Sequence, residues 1–252
     1  MKLKCILFIF FFSQFAGSSS AQNYKAVVEL PSLQQEASSV WRTIRDISFF
    51  ERAGYTVHLP QDPLIDSLIL KSKNGSFGND DFSSIFQLLE SSIYQEKEYA
   101  AALQKVKAQL PLINQMIQEI AKTKDSWNWD FKMYDTYRVV LTLYGSGGSY
   151  DPDQGVITLF TTTDGVFKNY TNPANTIIHE VVHIGIEQSL IQNLKLSHVR
   201  KERTVDKMVK ILFGDRLPNY RVQNMGDTEV DTYLKEKKDL QNLHRGLSKL
   251  AE

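Results

Sequence analysis

The residues with the most chemical content are His179-Glu180-Val181-Val182-His183. Histidines four apart on a helix project from one side, so both imidazoles can reach a single metal ion, and a glutamate between them can polarise a metal-bound water. At about 100° per residue, Thr176, His179, Glu180, His183 and Glu187 fall within an arc of about 100°. Ile177, Ile178, Val181, Val182 and Ile184 take the remaining faces. The spacing therefore predicts a helix that is apolar nearly all round, with one polar seam. Burying two imidazoles and a carboxylate is costly unless something pairs with them, and a metal would do so. Asn172-Pro173 supplies the start of this helix, as N-cap and first helical residue.

A second helix is expected downstream, capped by Ser197 and ended by Gly214. Glu202 and Asp206 lie one turn apart on it and share an arc with Val199, Val205, Val209 and Phe213, while Arg200, Arg203 and Lys207 point elsewhere. Carboxylates on an apolar stripe face inward, where they need partners. The series His179-Glu180-x-x-His183, eighteen residues, then Glu202-x-x-x-Asp206 resembles the gluzincins, the thermolysin-like and aminopeptidase-like zinc peptidases. The resemblance covers residues 137–213 and singles out no particular family within that group. It implies that His179, His183 and Glu202 bind zinc, that Glu180 is general base and acid, and that Asp206 orients His179 from behind. Two histidines and a glutamate leave the fourth zinc position open for water. It also implies that the strand Gly155–Thr161 is the sheet edge that holds extended substrate.

Other side chains compete for roles. Glu187 lies beyond easy reach of a metal held by His179 and His183 and reads as cleft wall. His198 is an alternative ligand to Glu202, but no aspartate follows it by one turn. His58 and His244 read as ordinary surface or core histidines. A donor for the oxyanion of the tetrahedral intermediate is expected from Tyr220, Tyr233 or His244, and no local motif selects one.

The elements that must position these groups follow from patterning. Residues 33–122 read as largely helical: Asp80-Asp81 opens a helix carrying Phe82, Ile85, Leu88 and Leu89, and Tyr99, Leu103, Val106 and Leu110 form an amphipathic stripe. Pro111 is expected to break or restart that helix ahead of Ile113, Met116, Ile117 and Ile120. Near residue 135 the pattern changes. Tyr137–Tyr144 and Gly155–Thr161 are rich in β-branched and aromatic residues, and the turn-forming run 145–154 lies between them, so they read as an antiparallel pair joined by a loop. That loop has no P-loop lysine, and Asp151 and Asp153 lack the rest of a calcium loop. The fold class expected is α+β, mostly helical, with a zincin-like catalytic unit, a small antiparallel-containing sheet, and the two ligand-bearing helices. The divisions expected are a signal peptide at 1–21, a helical region at 22–134 and a catalytic region at 135–252, with 22–252 one two-lobed unit.

The 252 residues carry 29 basic and 29 acidic side chains and 42% apolar content, the composition of a globular protein. A balanced charge offers no broad handle for nucleic acid. Lys2 and Lys4, the apolar run Cys5–Phe12 and the small residues Gly17–Ala21 read as a secretory signal peptide, too short for a permanent membrane anchor. Its removal takes away the one cysteine, so disulfides and thiolate chemistry drop out and any metal is held by nitrogen and oxygen alone. The reading is an exported, periplasmic or extracellular zinc metallopeptidase acting on a peptide or protein substrate, with no oligomeric state implied. The alternatives are a zinc hydrolase of a non-peptide amide or ester, and a non-catalytic binding protein with structural zinc. Glu180 argues against the last, because a structural site does not require it.

Overall fold

The computed structural model describes residues 23–168, 170–224 and 226–251. The expected signal peptide, with Cys5, lies outside the described residues. The fold is α+β: mostly helical, with one four-stranded mixed sheet. Its strands are β1 (Lys25–Glu29), β2 (Thr136–Thr142), β3 (Gly148–Asp151) and β4 (Val156–Phe160), in the order β1-β2-β4-β3. Helices α1 (Leu33–Arg45), α2 (Ile47–Arg52), α3 (Pro63–Lys73), α4 (Phe82–Leu88) and α5 (Ala100–Thr123) all lie between β1 and β2 in the chain. Helices α6 (Pro173–Ile186), α7 (His198–Phe213) and α8 (Leu243–Leu247) follow β4. No described helix is long and apolar enough to cross a membrane.

The expected strand pairing and the expected loop are both corrected. β2 and β4 are parallel, with Arg138 opposite Val156 and Thr142 opposite Phe160. The run between them is no plain loop: it supplies β3, which pairs antiparallel with the far side of β4. The hairpin is thus β3–β4, and its turn is built by the Asp151 carboxylate, which accepts from the backbone N–H of Asp153 and Gln154. Gly155 completes the turn at φ +64°, a left-handed conformation that favours glycine. β3 is therefore one edge of the sheet, and the strand within Gly155–Thr161 is an interior one. A further strand, β1, pairs parallel with β2 and was not anticipated.

Pro111 does not interrupt α5, which runs unbroken through it. The proline ring lies on the exposed face, while the buried stripe Ala102, Val106, Ile113, Met116, Ile117 and Ile120 continues on the other side against β1 and α6. Packing of that stripe outweighs the backbone hydrogen bond that proline removes.

Buried apolar side chains form two clusters. The larger joins the sheet, α5, α6, α7 and the C-terminal segment; the smaller holds α1, α3 and α4 together through Val40, Ile44, Ile65, Leu68, Ile85 and Leu89. Where α1 meets the sheet, Glu36 is fully buried and accepts from Tyr99 Oη, Thr142 Oγ1 and the Leu143 N–H. The helix α6 runs through the larger cluster with all fourteen residues buried. Asn172 caps it as expected, its side chain accepting from the Ala174 N–H. Near its end any Cβ on Gly185 would overlap the ring of Phe131, so a side-chain-free position lets that ring pack on the helix.

Candidate metal centre

The polar seam of α6 and the inward carboxylates of α7 meet. His179 Nε2 lies 3.5 Å from Glu202 Oε2, His183 Nε2 lies 3.4 Å from the same oxygen, and the two Nε2 atoms are 2.9 Å apart. Metal bonds of about 2.0–2.1 Å at tetrahedral angles hold ligand atoms about 3.3–3.4 Å apart. The two Glu202 distances already match that spacing, and the imidazoles need to part by about 0.5 Å. Among the described residues, His179, His183 and Glu202 form the group able to hold a metal ion. The electrostatics agree. Burial opposes charge on Glu202, yet the hydrogen bonds from His179 and His183 hold its carboxyl well below the usual range. Burial likewise opposes charge on His179, but Asp206 and Glu202 outweigh it and push its pKa up to about 10. His183, with fewer such partners, is driven down to about 4 by burial. The carboxylates thus favour a positive charge where the imidazoles converge.

Behind His179 the geometry fixes a tautomer. Asp206, fully buried, places Oδ1 3.3 Å from His179 Nδ1 and accepts from Tyr220 Oη at 3.0 Å. Since Tyr220 gives its one proton to Asp206, its contact of 2.8 Å with His179 Nδ1 requires the proton to be on Nδ1. That leaves Nε2 as the nitrogen facing Glu202 and His183, the position from which a metal would displace a proton. Tyr220 is therefore removed as an oxyanion donor: its hydroxyl is buried beneath His179. Tyr233 and His244, the other expected donors, do not line the cleft.

Glu180 sits beside the triad, buried, its pKa pushed up to about 7 chiefly by desolvation. The edge strand passes so close that a Cβ on Gly148 would overlap the Glu180 carboxylate and lie 2.7 Å from the Thr176 methyl. Tyr150, two residues on, stacks on the His183 ring at 4.8 Å and donates to Glu187 Oε2 at 2.6 Å. Glu187 accordingly acts through Tyr150 and takes no place among the metal-binding atoms. His198 does not replace Glu202. Half-exposed, it stands 3.7 Å from Glu202 Oε1, with Lys201 Nζ 3.9 Å from that oxygen. His58 packs against Phe160.

These groups open into a cleft of about 680 Å³. One wall is the segment Ser146–Tyr150; another comes from the first half of the chain, where Phe49, Phe50 and Tyr55 reach over the site and Phe49 meets the His198 ring edge-on. Lys168, Tyr170, Lys201 and Arg221 complete the rim. None of these wall residues was singled out in the sequence. Most of them are aromatic, cationic or turn-forming residues, types too common in a sequence to select them.

No protein-family model, no curated protein and no solved structure matches this chain.

Proposed function

We propose that the chain is an exported zinc-dependent peptidase whose catalytic centre is His179, His183 and Glu202 with Glu180 beside them. The observation that carries this reading is the convergence of three ligand atoms next to an unligated, buried glutamate, in a cleft bordered by a sheet edge. A structural metal site has no use for Glu180 or for an open cleft. Zinc at this centre would supply Lewis acidity toward a substrate carbonyl and toward the attacking water. The chain's own residues do the rest. Glu180 accepts the proton of the attacking water and passes it to the leaving amine nitrogen. Asp206 and Tyr220 hold the proton on His179 Nδ1, so that Nε2 is the nitrogen turned toward a metal. The outer edge of β3 offers backbone groups to an extended peptide. Among the tyrosines of the cleft, Tyr150 donates to Glu187 and Tyr170 to the Arg221 carbonyl, so both hydroxyls are engaged away from a developing oxyanion.

The test is metal content together with hydrolysis. Purified protein should hold about one zinc per chain; Glu180→Gln should keep it and lose peptide cleavage, and His183→Ala should lose both. Protein that takes up no zinc on titration overturns the reading. Zinc uptake with no cleavage of a mixed peptide library transfers it to a non-peptide amide or ester.

A further inference from the structure

The segment that follows Tyr220 is irregular and its Arg221 side chain is exposed, yet its backbone is pinned on both sides. Tyr220 Oη donates to Asp206 Oδ1, and the Gln223 N–H donates to Asp206 Oδ2 at 2.7 Å. Tyr170 stacks flat on Tyr220 at 5.5 Å and donates to the Arg221 carbonyl at 3.2 Å. The aspartate that orients His179 therefore also fixes where Arg221 leaves the chain, on the cleft wall. Among the described residues no carboxylate pairs with the Arg221 guanidinium. Lys168, on the same cleft, donates to the Thr56 carbonyl at 2.5 Å and likewise has no carboxylate partner. Among the described residues the carboxylates lining the cleft are Glu180 and Glu202, both committed at the metal centre, while Lys168, Lys201 and Arg221 bring three positive charges. The chain as a whole is neutral, so this excess belongs to the cleft.

We infer that Arg221, backed by Lys168, binds a carboxylate of the substrate, so that the cleft selects peptides carrying negative charge close to the scissile bond. A guanidinium binds a carboxylate through two parallel hydrogen bonds, an interaction that an amide or an ammonium cannot reproduce. The carboxylate has two sources, an acidic side chain or the peptide's own C-terminus. The inference rests on the peptidase reading for its substrate, but its binding arm does not depend on turnover.

The experiment uses the zinc-loaded full chain and one fluorogenic peptide made with Glu, Gln or Lys beside the cleaved bond, each with a free or an amidated C-terminus. Cleavage is measured with the wild type, and anisotropy binding with Glu180→Gln. The expected result is a preference of about tenfold or more for the carboxylate-bearing peptide, in kcat/KM and in affinity. That ratio should fall toward one in Arg221→Gln and stay unchanged in Lys122→Gln, an exposed cation away from the cleft. A preference for Glu over Gln assigns the side chain, and a loss on amidation assigns the terminal carboxylate. Equal handling of Glu, Gln and Lys peptides together with no loss on amidation, or a preference untouched by Arg221→Gln, overturns the inference while leaving the peptidase reading intact. Carboxylate-dependent binding without cleavage does the reverse.

Discussion

Gly148 on the edge strand and Glu180 on α6 are in such close contact that no side chain can be added to the glycine: its Cβ would overlap the carboxylate and press on the Thr176 methyl. Gly148 is not required by its backbone conformation, which lies outside the left-handed region, so its role is the close approach itself. Gly148→Ala should displace the Glu180 carboxylate while leaving His179, His183 and Glu202 in place. The expected outcome is a fall in kcat of about 100-fold, the order that follows from misplacing a catalytic group by about 1 Å, with zinc content unchanged. Steady-state kinetics and metal analysis on the same sample decide it; a variant with full activity shows that Glu180 is not held against the strand.

The relay from Asp206 through Tyr220 to His179 makes a graded prediction. Tyr220→Phe removes the 2.8 Å contact to Nδ1 but leaves Asp206 Oδ1 at 3.3 Å from the ring nitrogen. Asp206→Ala removes both carboxylate contacts and also frees the Gln223 N–H. Loss of such outer partners weakens metal binding by about 10- to 100-fold. Chelator competition should place Tyr220→Phe near the lower figure and Asp206→Ala near or beyond the upper one. Equal affinity in all three proteins would show that the tautomer of His179 is set elsewhere.

Much of the ligand geometry was readable because it is local. Asn172 and Pro173 start α6, the four-residue histidine spacing needs one helix, and Glu202 and Asp206 sit on an apolar stripe that has to turn inward. What was not readable is set by partners distant in the chain. Gly148-Ser149-Tyr150-Asp151 contains no β-branched residue and becomes a strand only because β4 is there to pair with it. The same hairpin leaves β2 the opposite side of β4, where the pairing is parallel, and strand composition carries no such direction. Tyr220 lies 41 residues from His179, and Phe49 and Tyr55 more than a hundred, so no spacing rule connects them to the centre. At Pro111 the local rule itself was outweighed, because the buried stripe on the opposite face of α5 holds the helix together. Export is the expectation most separable from the fold: deleting residues 2–21 should retain the chain in the cytoplasm, as fractionation of expressing cells will report.

Glu36 gives the stability of the fold a pH dependence remote from the metal centre. Desolvation raises its pKa despite the hydrogen bonds from Thr142, Tyr99 and the Leu143 N–H. A carboxyl that binds its proton more tightly folded than unfolded stabilises the fold fully below its unfolded pKa, and that contribution is lost as pH rises through the folded value. Glu36→Gln fits the same hydrogen bonds: the amide oxygen can accept from Tyr99 and Leu143, and the amide nitrogen can face Thr142, whose hydroxyl also reaches the Tyr144 carbonyl. From just below pH 4.5 upward, the melting temperature of Glu36→Gln relative to wild type should therefore rise, with a slope bounded by about 1.4 kcal/mol per pH unit for one proton. Parallel melting curves for the two proteins across that range would show that Glu36 titrates normally.

The last helical turn before Glu187 depends on a contact on the side of α6 away from the cleft. Phe131 packs its ring against the Cα of Gly185, and the Lys132 N–H donates to the Gly185 carbonyl at 2.9 Å. Trp127 and Trp129, stacked on each other at 5.0 Å, both pack edge-on against the Phe131 ring and back it on one side. Gly185→Ala should gain helix propensity worth about 1 kcal/mol, but it inserts a methyl group into a filled space, which costs about 1–3 kcal/mol. Overlap with a ring backed by two tryptophans puts the cost at the upper end, so the net expectation is a loss of about 1–2 kcal/mol. Shrinking the ring separates this account from a simple backbone effect. If the clash is the cause, Gly185→Ala should be tolerated or stabilising in a Phe131→Leu background, and a double-mutant cycle on denaturant midpoints should give a coupling energy of about 1 kcal/mol or more. Additive losses would mean that the glycine is needed for its backbone alone.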